Sequence, residues 1–214
     1  MTTLVLRRTT QALSRALCRL NSSAAAPLVT STQVDRVTIL TLNDPARLNA
    51  LTFDMGAALQ HAIDTIDYSK TNAVVVTGAG KAFSAGGDLA FLNRRAEDSG
   101  SSNAVVMRRF YQAYLRIREL PVPVLAAING PAIGAGLCFA LAADMRVAGK
   151  SAKLGVTFVG LGLHPGMGAT HFLPRLVGAQ IASRLILTGA RISLHGRVFG
   201  ATPLPACGWS CWHV

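Results

Sequence analysis

Carboxylates are scarce in this sequence of 214 residues, which holds ten Asp and Glu against 21 Lys and Arg. Only two of the ten are glutamates, Glu97 and Glu119, and neither lies in a recognisable motif. No acid precedes Asp35 and none follows Asp144. The four cysteines have no regular spacing, which argues against a disulfide framework. The sequence therefore offers no motif for catalysis by a pair of glutamates.

The first 26 residues carry four arginines and no acid, and they are rich in Ser, Thr, Ala and Leu. Four leucines in this segment can share one helical face (Leu6, Leu13, Leu17 and Leu20). This composition is typical of a mitochondrial transit peptide and predicts delivery to the matrix. The alternative is a disordered basic arm.

The remaining positive charge does not indicate nucleic-acid binding, because no aromatic side chains are interleaved with the arginines and no RNA-binding signature is present. A polyanionic ligand would be attracted by the same arginines. The uncharged run 120–143 is long enough to suggest a membrane span. Its prolines and the sequence Asn129-Gly130-Pro131 would break such a helix, so we expect no membrane segment.

Strand-like and helix-like segments alternate along the chain, which predicts an α/β architecture with parallel strands. The expected strands are 34–42, 73–77, 122–128, 145–148 and 153–156, and the expected helices are 52–67, 104–119, 134–143, 169–176 and 179–187. Met107, Phe110 and Tyr111 recur at helical spacing and are interpreted as core residues.

The predicted folded core spans residues 27–193, because residues 194–214 have no helical or strand period. This tail is expected to lie outside the fold, and a truncated or frame-altered coding sequence would explain it. Cys207, Cys211 and His213 are too weak a pattern for zinc, so we predict no metal site.

Two buried strands each run into a glycine-rich turn, 78–88 and 129–136. Glycines let backbone N–H groups approach a ligand closely, and the second turn opens into a helix whose first N–H groups are unpaired. Two such amides aimed at one point would form an oxyanion hole for a thioester oxygen.

Four segments in order resemble the signatures of the crotonase, or enoyl-CoA hydratase/isomerase, superfamily over residues 34–193. They are Pro45–Leu51, Lys81–Leu89, Asn129–Arg146 and Leu161–Gly178. The resemblance implies a repeated β-β-α superhelix, here incomplete at the C-terminus, and the trimeric assembly of the family. It also implies an acyl-CoA substrate that passes through an enolate, with coenzyme A as part of the substrate and no separate cofactor.

By the same resemblance, the N–H groups of Gly87 and Ala135 would be the oxyanion donors. The coenzyme A pocket would be formed by Arg47, Lys81, Ala85, Asp88 and Leu89. Asp88 and Asp144 can also be explained as structural caps of nearby N–H groups.

The chain departs from the family pattern at the acid–base positions. Cys138 and Phe158 stand where the hydratases carry glutamates, and Gly166 stands where related isomerases and hydrolases carry an aspartate. Water addition needs a general base and a general acid, which neither Cys138 nor Phe158 can replace. His164 is the candidate acid–base group, with a structural histidine as the alternative.

Three functional hypotheses remain open. The first is an enzyme of the crotonase type with an unusual acid–base group. The second is an inactive CoA-binding relic or regulatory subunit. The third is a serine hydrolase, because Ser84, Asp144 and His164 follow the chain order of α/β-hydrolases, although the Gly-x-Ser-x-Gly elbow is incomplete.

Overall fold

The computed structural model of the protein describes residues 26–193 and the backbone of residues 209–212. All but the last residue of the predicted transit peptide therefore lies outside the described residues, as does most of the tail, including His213. Among the described residues no helix is long and apolar enough to cross a membrane.

The described chain forms nine strands and six α-helices. The strands are β1 (Val29–Val34), β2 (Val37–Leu42), β3 (Ala73–Gly78), β4 (Val124–Ile128), β5 (Ala132–Ile133), β6 (Met145–Gly149), β7 (Lys153–Gly155), β8 (Arg191–Ser193) and β9 (Trp209–Trp212). The α-helices are α1 (Phe53–Asp64), α2 (Leu89–Arg95), α3 (Gly100–Leu115), α4 (Ala135–Leu141), α5 (Ala169–Val177) and α6 (Ala179–Thr188). Short 3-10 turns cover Pro45–Arg47, Arg116–Glu119 and Thr157–Leu161.

The main sheet has the strand order β1-β2-β3-β4-β6-β9. Its centre, β2 to β6, is parallel, whereas β1 and β9 pair antiparallel at the two edges. A second sheet has the order β5-β7-β8. The α/β architecture predicted from the sequence is confirmed.

Two predicted boundaries differ from the structure. The segment 34–42 was expected to be one strand, but it is the second half of a hairpin that turns at Asp35, whose φ is +50°. The tail was expected to lie outside the fold, but Trp209–Trp212 adds a strand to β6. An antiparallel edge strand needs only a free row of N–H and C=O groups, so the absence of a hydrophobic period did not prevent the pairing.

Helix α1 shows how local sequence fixes the elements around the core. Thr52 is its N-cap and its hydroxyl accepts a hydrogen bond from the Met55 N–H at 3.1 Å. Met55, Leu59 and Ile63 recur at helical spacing and are buried. Helix α1 packs against α3 and β1, so the core lies between the main sheet and these helices.

Candidate functional site

Two glycine-rich loops leave the carboxyl ends of neighbouring parallel strands, β3 and β4, and run side by side. Backbone hydrogen bonds join them: the Ile133 N–H donates to Ser84 O at 3.0 Å, and the Phe83 N–H donates to Pro131 O at 3.0 Å. The loops are therefore joined directly through their main chains.

Gly86 and Gly136 make this close approach possible. Gly86 has a φ of +96°, and a β-carbon there would lie 2.5 Å from Ile133 O and 3.4 Å from the Ala135 nitrogen. A β-carbon at Gly136 would lie 2.6 Å from Ser84 O. Any larger side chain at either position would push the loops apart.

The N–H groups of Gly87 and Ala135 belong to two residues that line the same cavity. Within residues 26–193, neither N–H donates to a backbone or side-chain acceptor. Ala135 is the first residue of α4, where the helix itself supplies no acceptor and the helix dipole is positive. Both residues line one cavity of about 910 Å³.

That cavity contains most of the residues predicted for the site. It is lined by Arg47, Ala85, Gly87, Asp88, Leu89, Ala135 and His164. Lys81 is exposed and is not among the lining residues, so the structure does not bring it to the cavity with the others. The remaining lining is largely apolar, with Met107, Phe110, Phe158, Leu161 and Leu163 among its members.

Arg47 and Asp88 stand at the rim of the cavity. The Arg47 Nε donates to Asp44 at 2.6 Å, and one of its Nη atoms lies 4.0 Å from an Asp88 oxygen. Asp88 is also the N-cap of α2, because its carboxylate accepts from the Phe91 N–H at 2.7 Å. Asp88 therefore serves as the cap that sequence reasoning allowed and also contributes to the cavity wall.

His164 is exposed in the loop that follows the 3-10 turn Thr157–Leu161 and lines the cavity. His171, by contrast, is exposed on α5 and pairs with Arg175, at 3.0 Å from Nη1 to Nδ1. Of these two histidines, only His164 is placed to contact a ligand.

Cys138 cannot act as a base at neutral pH. It is fully buried in α4, and burial raises the pKa of its thiol to about 12. Phe158 is half-buried and lines the cavity, where it presents an apolar ring. Asp88 is therefore the one carboxylate among the residues that line the cavity.

The serine hydrolase hypothesis is wrong in its geometry. Ser84 is wholly buried, and its hydroxyl donates to Asn49 O at 2.8 Å and accepts from the Gly86 N–H at 3.2 Å. Asp144 accepts from the Val124 N–H at 2.8 Å and so caps the start of β4. Neither residue contacts His164, and a buried, hydrogen-bonded hydroxyl cannot attack a substrate.

Sequence reasoning missed the contribution of α3 to the cavity. Met107, Phe110 and Tyr111 were interpreted as core residues, yet all three line it. Arg191 of β8 also lines it and was not predicted. Their helical spacing identified one buried face of α3 but could not show that part of this face borders an open space.

No group of three potential metal ligands occurs in the part of the chain that the structure describes.

The fold is an α/β fold with a cavity whose lining includes two main-chain N–H groups without an acceptor among residues 26–193. Comparison with known proteins gives the family. The model of the enoyl-CoA hydratase/isomerase family matches residues 32–196. The chain belongs to the enoyl-CoA hydratase/isomerase family, and its fold is the crotonase fold.

Individual relatives agree with this assignment. A protein named probable enoyl-CoA hydratase from Mycobacterium tuberculosis is 46% identical over 154 residues, which are 72% of this chain and 59% of the relative. The solved enoyl-CoA hydratase of Bacillus anthracis is 37% identical with a TM-score of 0.70, covering 78% of this chain and 64% of that one. The chain thus spans about three fifths of the length of the first of these relatives.

A third similar protein was solved with a ligand. This enoyl-CoA hydratase-like protein from Thermobifida fusca, in complex with acetoacetyl-CoA, is 32% identical with a TM-score of 0.69. The similarity covers 79% of this chain and 69% of that one.

Proposed function

We propose that the chain binds an acyl-CoA thioester in the cavity and polarises its carbonyl oxygen with the N–H groups of Gly87 and Ala135. The observation that supports this most directly is the presence of two unpaired N–H groups on adjoining loops at one cavity. Such preorganised donors stabilise the negative charge that an enolate places on the thioester oxygen. The exposed Arg47 at the rim is suited to a coenzyme A phosphate.

Replacing Gly87 by proline tests this proposal, because proline removes the N–H. We expect the affinity for acetoacetyl-CoA to fall at least about tenfold, measured by calorimetry, because a charge-assisted hydrogen bond is lost. Gly87 does not have a positive φ, so the variant avoids the left-handed region that proline cannot adopt.

Gly100→Pro is the matched control. Gly100 is the first residue of α3, where proline is favoured, and the preceding Ser99 already has the extended conformation that proline requires. This variant is expected to bind like the wild type. Equal affinity of Gly87→Pro and wild type would contradict the assignment of the donor.

A second candidate function is thioester binding without turnover, as a CoA-binding relic or regulatory subunit. It is favoured by the cavity itself, where Phe158 is apolar and Asp88 is engaged as a helix cap. Cys138 is buried, and its raised pKa keeps the thiol protonated at neutral pH. Hydration of a double bond requires a base for the water and an acid for the α-carbon, and these side chains supply neither.

We therefore expect no measurable hydration of crotonyl-CoA by the purified chain in a spectrophotometric assay. The same preparation is expected to bind acetoacetyl-CoA. Binding without hydration would show that the site is folded and that the acid–base groups are missing. Sustained hydration above the rate of the His164→Ala variant would assign the acid–base role to His164 and retain the enzyme hypothesis. Sustained hydration that His164→Ala leaves unchanged would show that the acid–base positions are assigned wrongly.

Localisation in the mitochondrial matrix and trimeric assembly stay predictions. Import of a reporter fused to residues 1–26 tests the first, and light scattering of the purified chain tests the second.

A further inference from the structure

Tyr111 lines the cavity, and its hydroxyl has no hydrogen-bond partner among the described residues. Tyr111 is half-buried on α3 and lines the cavity beside Met107 and Phe110. Its ring packs edge-on against Phe110, with the ring centroids 6.0 Å apart. Among the described residues, no side chain or backbone group forms a hydrogen bond with its hydroxyl.

Gly166 leaves the space into which this hydroxyl projects. A β-carbon at residue 166 would lie 2.0 Å from the Tyr111 oxygen and 2.7 Å from its Cζ atom. Even an alanine would therefore displace the phenol. The phenol of Tyr111 therefore occupies the space that a side chain at residue 166 would fill.

The phenol is a hydrogen-bond donor rather than a base. Burial raises the pKa of Tyr111 above its ordinary value, and the nearby Cys138 thiol raises it further. The proton therefore stays on the oxygen throughout the physiological range. A ligand that fills the cavity and excludes water must offer this O–H an acceptor, or the donor is left unsatisfied.

We propose that Tyr111 determines specificity by donating a hydrogen bond to an oxygen on the acyl chain beyond the thioester carbonyl. The cavity would then prefer acyl-CoA thioesters whose chain carries such an oxygen to those with a plain hydrocarbon chain of equal length. This inference rests on the proposed function, since it takes the thioester to bind between Gly87 and Ala135.

Calorimetry with acetoacetyl-CoA and butyryl-CoA tests the proposal, because both acyl chains have four carbons and only the first carries an oxygen at C3. Tyr111→Phe removes the hydroxyl and keeps the ring. We expect about a tenfold loss of affinity for acetoacetyl-CoA, the typical effect of one hydrogen bond, and less than about a twofold change for butyryl-CoA.

Two further variants make the result independent of folding defects. Tyr68→Phe makes the same chemical change at a residue that does not line the cavity, and it is expected to alter neither affinity. Gly166→Ala is expected to displace the phenol and reproduce the selective loss for acetoacetyl-CoA. Thermal unfolding of each variant confirms that it is folded before binding is compared.

The outcomes separate this inference from the proposed function. If the wild type binds neither thioester, the proposed function fails. If it binds both, and Tyr111→Phe weakens both equally or neither, the role of Tyr111 is overturned while thioester binding stands. A loss confined to acetoacetyl-CoA supports both.

Discussion

Replacing Gly86 by alanine is expected to weaken acetoacetyl-CoA binding about 100-fold, because both proposed donors depend on the contact that Gly86 allows. The new β-carbon would lie 2.5 Å from Ile133 O, which is a backbone atom and cannot move without moving the second loop. It would also place alanine at a φ of +96°, a conformation that only glycine adopts without strain. The two loops would separate, and their N–H groups would no longer face one oxygen.

Calorimetry on folded Gly86→Ala, compared with Gly100→Ala, measures this effect. A β-carbon at Gly100 meets nothing within 4 Å, and Gly100 does not have a positive φ. The control is therefore expected to bind like the wild type. A folded Gly86→Ala protein with wild-type affinity would show that the junction between the loops does not position the donors.

Asn49→Ala is expected to lower the free energy of unfolding by about 3 to 5 kcal/mol. Asn49 is fully buried, and its amide nitrogen donates to Ala79 O and Ala82 O, both at 2.9 Å. Its side-chain oxygen accepts from the Asp44 N–H at 2.9 Å. Alanine removes a hydrogen-bond partner from three backbone groups, one of them buried and two half-buried. It also occupies the left-handed region at a φ of +54°, which asparagine tolerates better.

Urea denaturation of Asn49→Ala and Asn93→Ala provides the comparison. Asn93 is exposed on α2, so its replacement is expected to change the free energy of unfolding by less than about 0.5 kcal/mol. A loss below about 1 kcal/mol for Asn49→Ala would mean that the first glycine-rich loop is held by other contacts.

The sequence predicted the elements with a clear compositional or periodic signal. Strand β3 and helix α1 fall close to the predicted positions, because β3 is a run of β-branched residues and the buried residues of α1 recur about every 3.6 positions. The β1-β2 hairpin was missed because its turn places Asp35 at a positive φ without the help of a glycine. Helix α2 was missed because its cap, Asp88, was interpreted as part of the glycine-rich loop.

Only the part of the site that is formed by backbone N–H groups could be predicted from the sequence. Glycines after two strands indicated that backbone N–H groups would approach a ligand, and the structure places Gly87 and Ala135 at one cavity. Which side chains face that cavity depends on how distant segments pack. Tyr111 and Gly166 are 55 positions apart in the chain, and neither residue alone indicates that a phenol fills the space beside the other. Lys81 was assigned to the pocket by the family resemblance; its side chain is exposed, and it is not among the residues that line the cavity.

The hydrogen bonds between the two glycine-rich loops separate binding from chemistry in this fold. Since the loops are joined through Ser84 O and Pro131 O, mutations that exchange acidic, basic or aromatic side chains around the cavity leave the spacing of the free amides unchanged. If the proposed function holds, affinity for the thioester would depend mainly on this backbone junction, and the reaction could diverge through changes in the side chains around the cavity.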